Sequence, residues 1–422
     1  MCNIIDYLPP MLEGEDLINE MRIAPDYDNV IRTKSASERL IALNDIYNVF
    51  VPLTMGKHIY NKLFLGMVRG LQRKTTKIAQ VQRVKNGKTL MSVDVVKNYQ
   101  GVCSGDSFTI IGDSGIGKSS SVSRVINMIS QVGVIELDEP YCKVVPCVVV
   151  ECPFDCSIKG MLVEILRKID ESVGSNYYDL TISNKKITID MLIGCVSQAC
   201  LNHVGLLVVD EIQNVVNHKN GISLVAMLTQ LINNSSVSIC MVGTTTSIDF
   251  FNRINYLSRR TMGLQFEAMK YDEEFKVFCD EIFKYQYVKN KCVLDEKIYN
   301  WLYLHSMGVC STIVSLAHDA QELAIIEGIE EISIYTLNMA YEQRLQMMHT
   351  HIQNMLDEEL PQIRKTSYVK TKVPRENRKK SKAMDENTIE SMAIQSKKEK
   401  IDILELLKGN ISIMEIEVQR NE

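Results

Sequence analysis

A membrane-length apolar run, a regular cysteine framework and a recognisable leader are all missing from this 422-residue sequence. The apolar runs are strand-sized, so no membrane partner is expected. The opening Met1-Cys2-Asn3-Ile4-Ile5-Asp6 does not read as a signal peptide. Twelve cysteines without regular spacing point to reduced thiols rather than a stapled secreted domain. Cys142, Cys147, Cys152 and Cys156 are separated by four, four and three residues, which is not the paired spacing of a structural zinc site. The expectation is a cytoplasmic protein without a zinc centre. Carboxylates are also absent between Lys62 and Asp94, where Arg69, Arg73, Lys74, Lys77, Arg83, Lys85 and Lys88 lie. Such a stretch suits either a phosphate backbone or a solvated connection.

What is present describes an ordinary globular chain: 45% hydrophobic, 23% charged, net charge −5. Its length leaves room for two or three domains. Residues 1–40 read as an extended arm with short helices. Residues 41–100 read as a helical and basic segment; from Ser37 to Gly70 the pattern is helical, with Leu40, Leu43, Ile46 and Tyr47 on one face and Ile59, Tyr60, Leu63, Phe64 and Met67 on a second helix. Strands are expected at 107–111, 144–151, 205–209 and 237–242 with helices between them, the alternation of a parallel sheet covered on both faces. This α/β core spans 101–270. Four helical segments at 271–350 make a small α-helical lid, with the single tryptophan, Trp301, in its core. Residues 351–422 read as a basic, flexible tail, carrying Arg364, Lys365, Lys370, Lys372, Arg375, Arg378, Lys379, Lys380 and Lys382 against Glu376 alone. The tail fits an acidic partner or a solubilising role.

The chemistry concentrates in a few stretches. Phe108-Thr109-Ile110-Ile111 leads into Gly112-Asp113-Ser114-Gly115-Ile116-Gly117-Lys118-Ser119-Ser120, a G-x-x-x-x-G-K-S loop between a strand and a helix. Its glycines let backbone N–H groups cradle a triphosphate, with Lys118 reaching the β- and γ-phosphates and Ser119 ligating Mg²⁺. Leu206-Leu207-Val208-Val209-Asp210-Glu211 ends a buried strand in two carboxylates. Beside a P-loop, Asp210 would hold Mg²⁺ and Glu211 would deprotonate the attacking water, though a plain turn reads the same way. Thr244, ending the next strand in Gly243-Thr244-Thr245-Thr246, is placed to sense the γ-phosphate. Ser258-Arg259-Arg260 offers an arginine that can complete a neighbouring subunit's site in trans, or a surface ion pair.

In this order the motifs resemble those of an AAA+ P-loop NTPase: a parallel sheet flanked by helices, plus a small α-helical lid. More closely, the chain resembles the transposon-encoded regulators TnsC and TniB. The resemblance rests on Val148-Val149-Val150-Glu151-Cys152-Pro153 followed by Ser157-Ile158-Lys159-Gly160. It continues in Asp210-Glu211-Ile212-Gln213-Asn214, Val242-Gly243-Thr244 and Arg259-Arg260-Thr261-Met262-Gly263. It implies an ATPase using ATP and Mg²⁺ that assembles on double-stranded DNA as rings or filaments. It further implies a link between a target-selection protein and the transposase subunits; the slow, regulatory turnover expected here comes instead from a departure in the lid. By position the resemblance makes Lys159 a DNA-backbone contact. One departure stands out: the lid stretch Met307-Gly308-Val309-Cys310-Ser311-Thr312-Ile313 has no arginine where many AAA+ proteins place one against the γ-phosphate. A replication initiator or helicase loader is the alternative reading of the same core. It sits less well because no compact winged helix follows the lid. A non-enzymatic, nucleotide-gated scaffold is a third.

Overall fold

Four apolar runs supply the middle of one sheet because each is buried on both faces, which leaves no room for in–out alternation. The computed structural model describes residues 4–76, 78–82, 105–138, 141–183, 187–216, 218–252 and 263–344. The chain divides into Met1–Leu360 and Pro361–Glu422, and the second unit lies outside the described residues. So do Arg259, Arg260, Lys77, Arg83, Lys85, Lys88 and the basic tail.

The chain opens with a 3-10 turn (Ile4–Tyr7), α1 (Gly14–Met21), a second 3-10 turn (Asn29–Thr33), α2 (Ala36–Ala42), a third turn (Leu43–Asn48) and α3 (Thr54–Lys74). The sheet region follows as β1 (Ser107–Gly112), α4 (Lys118–Ser130), β2 (Ile135–Asp138), β3 (Tyr141–Glu151), α5 (Ile158–Val173), α6 (Tyr177–Ser183), α7 (Ile189–His203) and β4 (Val204–Asp210). It closes with α8 (Gly221–Ser235), β5 (Ser238–Thr244), α9 (Ser247–Asn252) and β6 (Leu264–Phe266). The lid is α10 (Glu273–Phe283), α11 (Glu296–Ser306), α12 (Cys310–Ile326) and α13 (Ile334–Arg344).

Six strands lie in the order β2-β3-β4-β5-β1-β6. Only the β2–β3 pair is antiparallel; the other pairs are parallel. The four long strands fall where the apolar runs predict them. β2 and β6 do not: β2 is a short hairpin partner of β3, and β6 has three residues. Neither offers an apolar run long enough to stand out. Leu206, Leu207, Val208 and Val209 are fully buried, each such side chain stabilising the fold by about 1.5–3 kcal/mol.

α3 crosses β4 closely, since a Cβ on Gly70 would land on the Gly205 carbonyl. The end of this helix corrects the simple picture of a basic binding stretch. Lys74 is fully buried, and its ammonium donates to the carbonyls of Cys200 and Leu201 at 2.7 Å, capping the end of α7. Arg69 pairs with Asp106 at 2.9 Å, and Arg73 lies 4.0 Å from the same carboxylate.

The first forty residues are not an extended arm. Ile4, Leu17 and Met21 pack into the core with α3 and α4, and Arg124 of α4 donates to the Met21 carbonyl at 3.0 Å. Further along, Tyr27 sets its edge against Tyr285 and Tyr287 of the lid, and Arg32 donates to the Val288 carbonyl. The segment therefore bridges sheet and lid. Its strongest tie is Arg39, 1% exposed, which forks onto Glu330 at 2.6 and 2.7 Å and also donates to the Tyr287 carbonyl. The guanidinium holds the Glu330 carboxyl down at about 2, against an ordinary 4.5.

Arg39→Ala removes the fork but leaves Glu330 with the Lys289 ammonium at 3.1 Å, so it should cost about 1.5–3 kcal/mol, the scale of hydrogen bonds to a charged group. Because the folded carboxyl is depressed, its stabilisation is complete above the ordinary carboxylate range and lost as pH falls from there through about 2. The melting temperature gap between the protein and Glu330→Gln should accordingly be wide at pH 7 and narrow at pH 3.

Trp301 lies in the lid core as its sequence position suggests. It is 9% exposed, donates to Asn338 Oδ1 at 3.0 Å and stacks on His305.

Candidate nucleotide site

Parallel strands bring their C-terminal ends to one edge, where loops and helix N-termini can meet a ligand. β5 lies between β1 and β4, and its register sets Gly112 opposite Thr244 and Val209 opposite Met241. The P-loop, the carboxylate pair and Thr244 therefore share that edge. They line one cavity of about 470 Å³.

The loop from Gly112 to Ser120 turns through Asp113, Ser114, Gly115, Ile116 and Gly117 into α4. Gly115 and Gly117 have φ of 80° and 94°, the left-handed region that favours glycine and lets successive N–H groups converge. Ile116 is buried and anchors the turn. Lys118 is 7% exposed and donates to the Asp113 carbonyl at 2.5 Å. Burial pushes its ammonium below the ordinary value, while the carboxylates of Asp113, Asp210 and Glu211 work in the opposite direction. A desolvated cation at the mouth of a backbone nest suits a polyphosphate. Ser119 and Ser120, exposed at the start of α4, put hydroxyls and the helix dipole on the same side.

Asp210 ends β4, and its Oδ1 accepts the Glu211 N–H at 2.8 Å. Glu211 has a φ of 56°, which turns the chain sharply out of the strand. The Ser119 hydroxyl and the Asp210 carboxylate are hard oxygen donors on one cavity, a set that fits Mg²⁺. Thr244 shares its hydroxyl with Thr246 at 2.7 Å, and its N–H is taken by Gln213 Oε1 at 3.3 Å.

Three contributors had no role assigned from the sequence, although Gln213 and Ser311 lie in stretches it singles out. Gln213 donates from its amide to Glu211 Oε2 while accepting from Thr244. Residues 46–53, before α3, give the cavity an apolar wall through Ile46, Val49, Val51 and Leu53. Ser311, at the start of α12, donates its N–H to the Gly115 carbonyl at 3.0 Å and so ties the lid to the P-loop. Phe278, Cys310, Ser311, Val314 and Ser315 make the lid side; among the described residues that line the cavity there is no arginine. The apolar run before α3 was readable as a signal, but only the fold shows what it faces.

Lys159 stands apart from this cavity. It is exposed at the start of α5, one residue past Ile158, where Ser157 caps the helix by accepting the Gly160 N–H at 3.1 Å. The preceding turn is built: Asn214 donates to the Cys152 carbonyl, the Cys156 thiol donates to the Asn214 carbonyl, and Asp155 accepts the Ser157 N–H. Phe154 at its tip is 87% exposed. Cys142, Cys147, Cys152 and Cys156 are free thiols, and burial pushes Cys147 and Cys152 up to about 12. Arg260 lies outside the described residues. Among the described residues no helix is long and apolar enough to cross a membrane.

Comparison with known proteins follows the same core. No curated protein matches the chain. Among solved structures it is similar to the Aeropyrum pernix ORC1 protein in complex with DNA, at 13% identity and a TM-score of 0.41 over 62% of this chain and 64% of that one. It is similar also to the Aeropyrum pernix ORC2 protein in ADPNP-ADP complexes, at 15% identity, a TM-score of 0.36 and coverage of 63% and 66%. Drosophila ORC bound to DNA is similar at 11% identity and a TM-score of 0.34, with 68% of each chain covered. The chain thus spans 64% of the first of these structures. Residues 94–271 match the model of the family described as TniB, bacterial TniB protein, and that stretch holds the P-loop, the carboxylate pair and Thr244. Over residues 94–271 the chain is therefore similar to the TniB family, on a mostly parallel sheet whose P-loop follows its first strand.

Proposed function

We propose that the chain is an ATP-dependent, DNA-binding regulator of transposition. It assembles on target DNA and links a target-selection protein to the transposase. The observation that carries the reading is the TniB match laid over a cavity lined by the P-loop, Asp210, Glu211 and Thr244. Lys118 and the P-loop N–H groups bind the triphosphate, and the apolar wall at 46–53 takes the base. Mg²⁺, held by Ser119 and Asp210, supplies charge neutralisation at the phosphates. Glu211 orients the attacking water and takes its proton as the γ-phosphoryl group passes from ADP to that water. Thr244 reports the γ-phosphate, and Arg260 of a neighbouring copy supplies positive charge in trans.

Turnover is slow because the lid side of the cavity offers hydroxyls and apolar side chains where an arginine would stabilise transition-state charge. Slow hydrolysis suits a timer: ATP supports self-association into a ring or filament on duplex DNA, and hydrolysis releases it. Lys159 contacts the phosphate backbone without reading sequence, which suits a protein that must accept many targets.

Lys159→Ala tests the DNA part. It should weaken duplex binding about equally across unrelated sequences and reduce the slope of log affinity against log salt by about 0.9. Titration of labelled duplexes between low and moderate salt reads both quantities. Unchanged affinity and slope would remove Lys159 from the interface, whereas loss confined to one sequence would make it a base contact.

A further inference from the structure

The turn after the carboxylate pair is held from outside, which leaves one side chain with a separate task. Ile212 and Val215 are fully buried beneath it. Asn214 donates its N–H to the Glu211 carbonyl at 3.1 Å and its side-chain amide to the Cys152 carbonyl at 2.8 Å. The turn therefore uses the Gln213 carbonyl, which accepts the Val216 N–H at 3.0 Å, and needs nothing from its side chain to hold its shape. Gln213 instead spends both ends of its amide inside the cavity. Nε2 donates to Glu211 Oε2, and Oε1 accepts the Thr244 N–H. Space for this is made by Gly243, where a Cβ would come within 2.9 Å of Gln213 Oε1 and 2.6 Å of the Ile212 side chain.

We infer that Gln213 is a positioning residue for hydrolysis, fixing the Glu211 carboxylate and locking it to the end of β5. Glu211 needs the help because its backbone leaves the strand in the left-handed region and its side chain is exposed. Left alone, the carboxylate would sample several rotamers, few of them aimed at an attacking water. With Oε2 occupied by the amide donor, Oε1 is the atom that accepts the water's proton. At that moment the water oxygen bonds to the γ-phosphorus and the bridging P–O bond breaks toward ADP. The second bond ties this geometry to Thr244, so base and phosphate sensor move as one unit. Gln213 touches neither the phosphate nor the water in this scheme; it acts through Glu211.

The inference rests on the ATPase reading and not on DNA binding, so hydrolysis is measured with and without duplex. Gln213→Met keeps the volume against Gly243 and removes both hydrogen bonds, and Gln213→Ala checks the size effect. Both should lower kcat about 10- to 100-fold while KM for ATP stays within about twofold. Adding Gln213→Met to Glu211→Gln should cost nothing beyond Glu211→Gln alone, because the residue acts through the group already removed. Unchanged or raised kcat, loss confined to KM, or losses that multiply in the double variant would each overturn the assignment. If the unaltered protein shows no turnover under either condition, the ATPase reading falls and takes this inference with it. Turnover without DNA stimulation would count against the DNA reading alone.

Discussion

Glu211→Gln is expected to bind ATP about as well as the unaltered protein and to hydrolyse it at least about 100-fold more slowly, the scale of a lost general base. The change is isosteric, so the sharp turn at φ 56° and the Asp210 to Glu211 N–H bond have no steric reason to move. The phosphate cradle on β1 and α4 is a different part of the chain and keeps its nest. What disappears is the carboxylate able to take a proton, and Gln213 then faces an amide in place of an anion. Fluorescent-nucleotide binding together with single-turnover hydrolysis separates the two effects. A variant that hydrolyses at the full rate would assign the base to another residue. If assembly on DNA is timed by hydrolysis, this variant should also dwell longest on duplex.

Lys118→Ala has the opposite profile: it should lose binding rather than turnover. The ammonium sits 7% exposed in the P-loop, with burial acting against its charge. That cost is repaid only when a polyphosphate meets it. Replacing it should reduce ATP affinity by two orders of magnitude or more, about 2.7 kcal/mol or above. The melting temperature without nucleotide should not fall, because a desolvated charge has been removed and the acceptor that loses its donor is the Asp113 carbonyl. Calorimetry with ATP and thermal melts without it check both halves. Intact ATP affinity would contradict the role given to the loop; a collapse in melting temperature would mean that Lys118 mainly holds the fold.

Much of this was readable from residues alone, for identifiable reasons. A buried parallel strand announces itself as an unbroken apolar run, and Phe108–Ile111, Val144–Val150 and Leu206–Val209 are such runs. Two of the four lid helices begin at aspartates that cap them, Asp272 and Asp295 accepting the N–H groups of Phe275 and Ile298. The short β2 and β6 lacked that signal, since pairing rather than pattern makes them strands. The arm was misread because its anchors are long-range: Arg39 and Glu330 are 291 positions apart, and nothing local in the sequence joins them. Lys74 lies in a stretch that reads as either a phosphate-backbone contact or a solvated connection, and only the fold sets it against two carbonyls of α7.

Within the site, the motifs supplied Lys118, Ser119, Asp210, Glu211 and Thr244, because each has a fixed place on a strand end or helix start. They did not supply Gln213, whose meaning depends on β5 lying beside β4. The strand order, and not the spacing along the chain, brings that amide between a carboxylate and the Thr244 peptide.

The central claim is that ATP binding at this loop drives assembly of the chain on DNA. Negative-stain imaging of the full chain with duplex DNA and a non-hydrolysable ATP analogue tests it most directly, with Lys118→Ala alongside. The account predicts rings or filaments along the duplex for the unaltered protein, absent without the analogue and absent for the variant. Monomers under every condition, or the same assemblies formed by Lys118→Ala, would contradict it.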